Sequence, residues 1–215
     1  MINIVKLGKG DLEKIFNVER KAFIPLIQAS KEKICKRFNC GHVYLGANID
    51  NLIVGTLAFR YGTFSPDDYS NFPNTFDKFA NQLNSKNSNS IFVYSLGIIP
   101  DYRGGKLTKE LINCVENYAK KENLNYIVGD GRCPSYNGST IFEQENIRQN
   151  LEFKRTIDDY MAGGRIPVTK DLLKDSTLAF YHKLIGLDFL WIMQNFIPED
   201  KPAGGYRVIL YKQLK

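Results

Sequence analysis

The chain has 215 residues, of which 43% are hydrophobic and 24% are charged, which is enough apolar sequence for one substantial core. No apolar run approaches the roughly 20 residues of a membrane-spanning helix. The first residues also lack the apolar segment and cleavage site of a signal peptide. We therefore expect a globular protein without a membrane partner.

The net charge of +6 is the feature of the composition that favours nucleic acid as a partner. The basic residues are scattered among acidic ones, however, as in Lys31-Glu32-Lys33, and no dense basic run is present. This pattern is typical of solvated surface charge, so nucleic-acid binding is only a third choice of function. A modest positive field also suits a cofactor with several phosphates. The four cysteines form no Cys-x-x-Cys pair, which indicates a reduced, cytoplasmic protein.

The first part of the chain predicts a strand, two helices and a hairpin. Asp11 is a residue type that caps helices, Pro25 separates the two helices, and Asp50-Asn51 is a polar turn between two alternating segments. The predicted elements are a strand over 2–7, helices over 11–23 and 26–38, and strands over 42–49 and 52–61.

Residues 62–90 form the first of two inserts that are longer than a compact domain needs. Phe72, Phe76 and Phe79 recur at near-helical spacing, which predicts a short helix, and the stretch 84–90 is rich in Asn and Ser. One interpretation is a lid that packs its phenylalanines over a bound substrate and hinges at the polar stretch. The other is a satellite cluster that only covers the sheet.

The most informative stretch spans residues 91–111. An apolar strand ends at Pro100-Asp101, the basic turn Arg103-Gly104-Gly105-Lys106 follows, and a helical pattern then begins. The first N–H groups of a helix have no partner within the helix, and the helix dipole adds partial positive charge there. The stretch therefore predicts a phosphate-bearing cofactor held at a helix start. The alternative is an ordinary strand-to-helix turn with an exposed arginine.

The rest of the chain contains the second insert and the closing elements. They are a strand over 126–129, an insert over 132–172 with a polar helix over 143–161, a helix over 172–184 with a break at Ser176, and strands over 187–197 and 206–214. Gly186 suits the position just after a helix. The order of all these elements predicts an α+β fold in which helices flank a mixed central sheet.

The turn resembles the acetyl-CoA-binding segment of the GCN5-related N-acetyltransferases, the GNAT superfamily. In that family a strand and a proline precede an Arg/Gln-x-x-Gly-x-Gly/Ala turn that opens a helix, and the run Ile99-Pro100-Asp101-Tyr102-Arg103-Gly104 is similar. Lys106 and Thr108 stand where the family usually has Gly and Gly/Ala. The predicted order of elements also resembles the GNAT fold, which implies a single GNAT-like domain over 1–215.

The resemblance implies acetyl-CoA as donor substrate, an amine or other small molecule as acceptor, direct attack without an acyl-enzyme, and no metal. In the family the pantetheine lies along the strand that precedes the turn, and the pyrophosphate lies at the turn. The residues implied to bind the cofactor are Leu96, Gly97, Ile98, Arg103, Gly104, Gly105, Lys106, Leu107 and Thr108. Gly97 is equally consistent with a packing glycine.

Acyl transfer needs a base for the amine and a proton donor for the leaving thiolate. The family donor is a tyrosine four residues before a glycine, and counting back from Gly186 gives His182, with Tyr181 beside it. We expect one of this pair to donate. Asp130, at the end of a predicted strand, is the best-placed acid to serve as base, although it is equally of a type that caps a turn.

Three open points complete the sequence-based interpretation. Cys35, Cys40 and His42 lie close together, but no fourth ligand has suitable spacing for zinc, so buried thiols are expected. Tyr94 and Ser95 occupy a place where some GNAT members carry a glutamate, and they are candidates to order a water. The departures from the family pattern leave a catalytically altered CoA-binding module as the second function. The acceptor is not readable, and a homodimer is left open.

Overall fold

The computed structural model describes residues 2–68, 71–134, 165–168 and 170–215. Packing divides these residues into two units. The first comprises the described residues up to Phe64 together with Phe79–Val128 and Gln213–Lys215, and the second comprises those of Ser65–Lys78 and Gly129–Lys212. The assignment of one domain to the whole chain stays a prediction.

The first unit is built on an antiparallel meander. Its strands are β1 (Asn3–Leu7), β2 (Val43–Ile49), β3 (Leu52–Gly62), β4 (Ser90–Ile98) and the first residues of β5 (Tyr126–Arg132), in that spatial order. Asp50 and Asn51 have φ angles of 48° and 66°, the left-handed pair that a two-residue hairpin turn requires. The predicted hairpin is therefore confirmed.

Helices pack on this meander. They are α1 (Leu12–Ala22), α2 (Lys31–Asn39), α3 (Phe76–Ala80), which continues from the second unit into the first, and α4 (Lys106–Lys121). The helix predicted over 26–38 starts later, because the Ser30 hydroxyl accepts a hydrogen bond from the Lys33 N–H at 3.3 Å and caps a new start. Pro25–Ile27 forms a separate 3₁₀ turn.

The second unit contains β6 (Arg165–Pro167), β7 (Asp188–Met193) and β8 (Arg207–Gln213), and its strand order is β5-β8-β7-β6. The three-residue β6 was not predicted. The prediction that β5 ends at Gly129 was wrong, because the strand continues to Arg132 and Gly131 serves close packing within it. A Cβ on Gly131 would lie 2.9 Å from Leu210 Cδ1.

The helix predicted over 172–184 consists of three pieces. They are a 3₁₀ turn (Lys170–Lys174), α5 (Ser176–Phe180) and a π-helical turn (Tyr181–Ile185). The Asp175 carboxylate accepts the N–H groups of Thr177 and Leu178 at 2.9 and 3.2 Å, so it caps α5 and confirms the predicted break. Gly186, at φ 72°, ends the π-helical turn as predicted. The helix predicted over 143–161 lies outside the described residues.

The first insert contains the predicted short helix, α3, in which Phe79 is buried and Phe76 half-buried, and Phe72 before it is buried. Phe72 packs edge-on against Trp191 in the second unit, with ring centroids 5.2 Å apart, and Phe79 packs on Phe92 in the first at 5.4 Å. The polar stretch that follows is not a free hinge, since side-chain amides at both of its ends bond the backbone near β3. This arrangement favours the interpretation of a cluster that covers the sheet.

The Asn84 amide accepts the Tyr61 N–H at 2.9 Å and donates to the Gly41 carbonyl at 2.7 Å. The Asn89 amide pairs with both the N–H and the carbonyl of Phe64, each at 2.8 Å. The overall class is α+β with a mixed sheet flanked by helices, as predicted. None of the described helices combines the length and the apolar character needed to cross a bilayer.

Candidate active site

A turn with two consecutive glycines joins β4 to α4 in the first unit. After a 3₁₀ turn over Pro100–Tyr102, Gly104 and Gly105 adopt φ angles of 131° and 90°, which residues with side chains rarely adopt. Among the described residues, apart from its chain neighbours, no atom lies within 4 Å of the position that a Cβ would take on Gly104. The backbone of the turn is therefore accessible at Gly104, and a phosphate bound there stays a prediction.

The first turn of α4 supplies the donors of this candidate site. Gly105 is the N-cap and offers no side-chain acceptor, so the N–H groups of the residues that follow are left for another partner. Leu107 and Thr108 have buried side chains, whereas Lys106 is exposed. The bulk of Thr108 is thus taken up by the core and does not occupy the turn.

Arg103 is engaged by the protein itself. Its Nε donates to the Ile98 carbonyl at 3.1 Å, and its Nη2 donates to the Ala22 carbonyl at 3.0 Å. The second acceptor is the last carbonyl of α1, one of the groups that a helix end leaves without a partner. Arg103 therefore fixes the end of β4 and the end of α1 to the turn, in addition to bringing a positive charge there.

A β-bulge interrupts β4 shortly before the turn. Ala58 of β3 pairs with Ser95 and the next residue, Phe59, pairs with Val93, so Tyr94 is the extra residue on β4. A bulge bends the strand that carries it and increases its twist, and bulges are frequent beside active sites. The bulge lies three residues before Gly97, the glycine of this strand.

Gly97 serves close packing. A Cβ at this position would lie 2.8 Å from Phe23 Cε2 and 3.0 Å from Ala22 Cβ, so the end of α1 requires a glycine here. Of the neighbouring predicted contacts for pantetheine, Leu96 is half-buried and Ile98 is buried. Any contact from these positions to a cofactor would therefore be made by backbone groups, as the family resemblance implies.

The predicted base, Asp130, lies in the second unit and is almost fully buried. Its Oδ2 is 3.3 Å from Arg207 Nε, with side chains 8% and 4% exposed respectively. Burial raises the pKa of Asp130 to about 6, and the charge of Arg207 opposes this rise only in part. The carboxyl group is therefore mainly ionised at pH 7 yet takes up a proton readily, which is the behaviour a general base requires.

Tyr181, one of the two predicted proton donors, opens the π-helical turn of the second unit. Burial, and then the negative charge of Asp130, raise the pKa of Tyr181 to about 12. The phenol consequently keeps its proton throughout the neutral range and remains a hydrogen-bond donor. The structure thus brings the predicted base and one predicted donor into the same electrostatic surroundings.

His182 is oriented differently. Its Nδ1 lies 3.0 Å from the Leu187 carbonyl, and because a carbonyl can only accept, Nδ1 carries the proton of the neutral ring. Nε2 then holds a lone pair, so the neutral side chain accepts a proton there and does not donate one. The ring is half-exposed and packs 5.5 Å from Phe189, and Asp188 Oδ1 is 3.9 Å from Nδ1.

The family model of the GNAT acetyltransferases matches residues 12–133, more than half of the chain. The chain belongs to the GNAT family. No curated protein matches its sequence at a significant level. The match covers the helices before the hairpin, the bulged strand, the turn and α4, so it confirms the family that the turn motif suggested.

Solved GNAT structures share the fold over the whole chain. The chain is similar to the GphF GNAT-like decarboxylase in complex with isobutyryl-CoA, at 19% identity and a TM-score of 0.71, over 99% of this chain and 100% of that one. It is also similar to the loading GNATL domain of CurA from Lyngbya majuscula, at 15% identity and a TM-score of 0.70, over 99% of this chain and 98% of that one. A third similar structure is the ribosomal-protein-S18-alanine N-acetyltransferase from Escherichia coli, at 12% identity and a TM-score of 0.60, over 100% of this chain and 95% of that one. At these identities the likeness establishes the fold.

The GNAT chain contains a charge network that the sequence did not reveal. Arg207, the first residue of β8, contacts both Asp130 and Asp200, and Arg132 forms two parallel hydrogen bonds to Asp200. One feature of the sequence could have indicated the network. Arg207 is a charged residue directly before a run of apolar residues, and a charge that is buried there needs a partner. The pairing partners lie too far apart in sequence for spacing to identify them.

A second buried polar group in the GNAT chain involves His42. Its Nε2 lies 2.7 Å from the Gln82 carbonyl and therefore carries the proton, so Nδ1 accepts the Tyr94 hydroxyl at 3.0 Å. Burial lowers the pKa of His42 to about 4. Cys35 and Cys40 are half-buried, not buried as expected. Among the described residues, no group of His, Cys, Asp or Glu is arranged to hold a metal.

Proposed function

We propose that this GNAT protein transfers an acyl group, acetyl in the simplest case, from acyl-CoA to an amine by direct attack, in the cytoplasm. The observation that carries the proposal is the open glycine turn at the start of the 16-residue helix α4. Backbone N–H groups and a helix dipole converge there without a side-chain cap from Gly105, and this is the arrangement that binds a phosphate.

The proposed binding mode uses few side chains. The N–H groups from Gly104 to Thr108 would hold the pyrophosphate, and Lys106 would add a full positive charge. Arg103 would keep the turn in place through its two carbonyl contacts while its charge faces the same region. Backbone groups of residues 96–98 would bind the pantetheine. The clearance around the Cβ position of Gly104 leaves the backbone there accessible to a bound group.

The proposed reaction needs two proton-handling groups. As the amine nitrogen bonds to the thioester carbon, the C–S bond breaks and its electron pair leaves on sulfur. Asp130 would take the proton that the amine loses, directly or through a water. The Tyr181 O–H would donate a hydrogen bond to the leaving sulfur. Full proton transfer from Tyr181 would be unfavourable, because a phenol with a pKa of about 12 is a weaker acid than a thiol, for which about 8.5 is usual. Solvent would then protonate the thiolate.

Calorimetry with CoA and acetyl-CoA, followed by a free-thiol assay over a panel of amines, tests the proposal. We expect both nucleotides to bind and at least one amine to release CoA thiol in proportion to acylated product. Absence of CoA binding at high concentration would contradict the proposal. Binding without transfer to any amine would instead indicate the catalytically altered CoA-binding module.

A second candidate is decarboxylation of a carboxylated acyl-CoA. The observation that favours it is the acidity of Tyr181, since a phenol too weak to protonate a thiolate is strong enough to donate to an enolate. The GphF protein, a GNAT-like decarboxylase, matches this chain end to end, which is consistent with the idea. In this reaction the C–C bond to the carboxylate breaks, CO₂ leaves, and the electron pair goes to the thioester enolate, which then takes a proton at carbon.

Incubation with malonyl-CoA and no amine separates the two candidates. Conversion to acetyl-CoA with CO₂ release and no free thiol would support decarboxylation. Release of free thiol only when an amine is present would support acyl transfer. Mass spectrometry of the CoA species and a thiol reagent read the two outcomes in one sample.

A further inference from the structure

Two arginines and two aspartates form a connected network in the second unit. Arg132, near the end of β5, donates from Nε and Nη2 to the two Asp200 oxygens at 2.8 Å each. Arg207, at the start of β8, reaches the same carboxylate with Nη2 at 2.7 Å and reaches Asp130 with Nε at 3.3 Å. Its Nη1 donates to the Tyr206 carbonyl at 2.8 Å. A single guanidinium is therefore shared by two carboxylates.

The sharing is unequal. Asp200 has no exposed side-chain surface and receives three short charge-assisted hydrogen bonds from two arginines. Asp130 receives one longer contact from Arg207. The geometry consequently stabilises the charge of Asp200 well and that of Asp130 poorly, although both carboxylates are buried. The directions of their pKa shifts agree, since the pKa of Asp200 is lowered and that of Asp130 is raised.

The charges around Asp130 come from several elements. Arg207 faces it from β8 and Tyr181 from the π-helical turn, and the Asp130 backbone N–H also donates to its own carboxylate. Beyond this layer lie Asp200, which follows β7, and Arg132 on β5. Cys133, in the surroundings of the same network, stays a neutral thiol because burial raises its pKa to about 12.

We propose that Asp200 and Arg132 are positioning residues that set how readily Asp130 takes up a proton, because Asp200 competes with Asp130 for Arg207 and Arg132 moderates that competition. The inference rests on the proposed function, in which Asp130 takes the proton lost by the attacking amine. Neither positioning residue needs to contact the substrate. Both act through the place and charge of one guanidinium.

The proposal makes two opposite predictions. Asp200→Asn removes the competing negative charge, leaves Arg132 unneutralised and releases Arg207 toward Asp130, so each effect favours the ionised form of Asp130. Arg132→Gln removes a positive charge and leaves Asp200 to rely on Arg207 alone, so each effect favours the protonated form. A merely structural role would lower activity in both variants without moving titrations in opposite directions.

Carbon-13 NMR of aspartate carboxyls in the unliganded protein measures the titration directly, with Asp130→Asn providing the assignment. We expect the Asp130 midpoint to fall by about one pH unit in Asp200→Asn and to rise by a similar amount in Arg132→Gln, the size typical of one lost charge partner. Arg132 is 35% exposed, so its variant keeps the test available if Asp200→Asn does not fold. Unchanged midpoints, or shifts in the same direction, would overturn the proposal.

The pH profile of acyl transfer distinguishes this inference from the proposed function. We expect the acid limb of kcat/KM to follow the NMR midpoint in each variant. Midpoints that shift as expected while the acid limb stays fixed would show that the network tunes Asp130 but that Asp130 is not the base, which overturns the positioning role in catalysis. Absence of any transfer with shifted midpoints would instead count against the proposed function alone.

Discussion

The glycine turn before α4 and the charge network around Arg207 handle charge in opposite ways. The turn presents partial positive charges of backbone N–H groups next to open space, without an internal acceptor from a side chain. The network joins four full charges that already neutralise one another, three of them buried and the fourth, on Arg132, partly exposed. The turn can therefore receive a new anion with little rearrangement, whereas any change of charge in the network alters the protonation of its neighbours.

This difference separates two roles that a transferase must combine. Binding of a charged cofactor needs donors that are preorganised and unoccupied. Proton transfer needs a group whose charged and neutral forms are close in free energy, and burial with one weak partner provides that for Asp130. Four experiments sharpen or break this comparison, and the largest effect is expected in the second region.

Tyr181→Phe removes the phenolic donor while keeping the ring. We expect turnover to fall about 100- to 1,000-fold with CoA affinity almost unchanged, the usual range for a lost hydrogen-bond donor to a developing negative charge. His182→Gln is the matched comparison at the neighbouring position, and a smaller effect is expected because the neutral ring does not donate at Nε2. Full activity of Tyr181→Phe in steady-state kinetics would show that the phenol does not stabilise the leaving thiolate and would leave the second region without a donor.

His42→Gln tests how a titratable group that is buried without an opposite charge changes the pH dependence of stability, in contrast to the paired groups of the charge network. The pKa of His42 is about 4 when folded and near 6.5 when unfolded, so its contribution to stability is complete above pH 6.5 and is lost as the pH falls toward 4. The loss amounts to roughly 3 kcal/mol. The contribution of Asp130 to stability has the opposite sign over this pH window and grows as the pH falls, because its raised pKa makes the folded state bind the proton more readily.

Urea unfolding at several pH values, compared between the wild type and His42→Gln, isolates the His42 contribution. We expect the difference in unfolding free energy between the two proteins to shrink by roughly 3 kcal/mol between pH 6.5 and pH 4. His182→Gln removes the other histidine of the chain and serves as control. A difference that does not depend on pH would show that His42 is protonated in the folded protein.

Gly105→Val tests the turn. The backbone at φ 90° is strained for a residue with a side chain, by about 1–3 kcal/mol, and a β-branched side chain would also fill the approach to the backbone. We expect CoA affinity by calorimetry to fall at least about tenfold. Gly10→Val is the control, because its Cβ would meet no atom within 4 Å and its φ is not positive. Unchanged CoA affinity in Gly105→Val would exclude the turn as the phosphate site.

Arg103→Ala separates the two roles of that arginine. Loss of its bonds to the Ile98 and Ala22 carbonyls is expected to lower the unfolding free energy by about 1 kcal/mol. Lys106→Ala removes the same charge from the same exposed region, so it should weaken CoA binding without changing stability. Equal stability of the two variants in urea unfolding would show that the carbonyl contacts of Arg103 do not hold the turn.

Local sequence features predicted the first region well. The hairpin turn at Asp50-Asn51, the break before Ser176 and the glycine turn all depend on residues next to one another, whose backbone preferences are visible in sequence. The charge network of the second region was not predicted from the sequence, because its contacts join segments that are distant along the chain. Asp130 is of a type that caps a turn, yet β5 continues through it, and Gly131 beside it packs against the side chain of Leu210 on another strand.

The same contrast holds within the candidate site. The role of Gly97 was left between cofactor approach and packing, and the end of α1, which is remote in sequence, decides that packing requires it. The bulge at Tyr94 follows from the register between β3 and β4, which no local pattern encodes. Asp200 and Arg132 lie in segments that read as polar loop or strand end, where solvent exposure is the ordinary expectation.

The amide side chains of Asn84 and Asn89 replace a missing strand. Each presents a carbonyl and an NH₂ group to main chain, and Asn89 pairs with Phe64 through both, as a neighbouring peptide would. Asp has the shape but lacks the donor, and Gln has the donor but a longer reach. Evolution should therefore tolerate little change at these two loop positions, even though loops usually vary freely. Spontaneous deamidation at either asparagine would therefore remove one of these hydrogen bonds and act as slow chemical damage to the sheet.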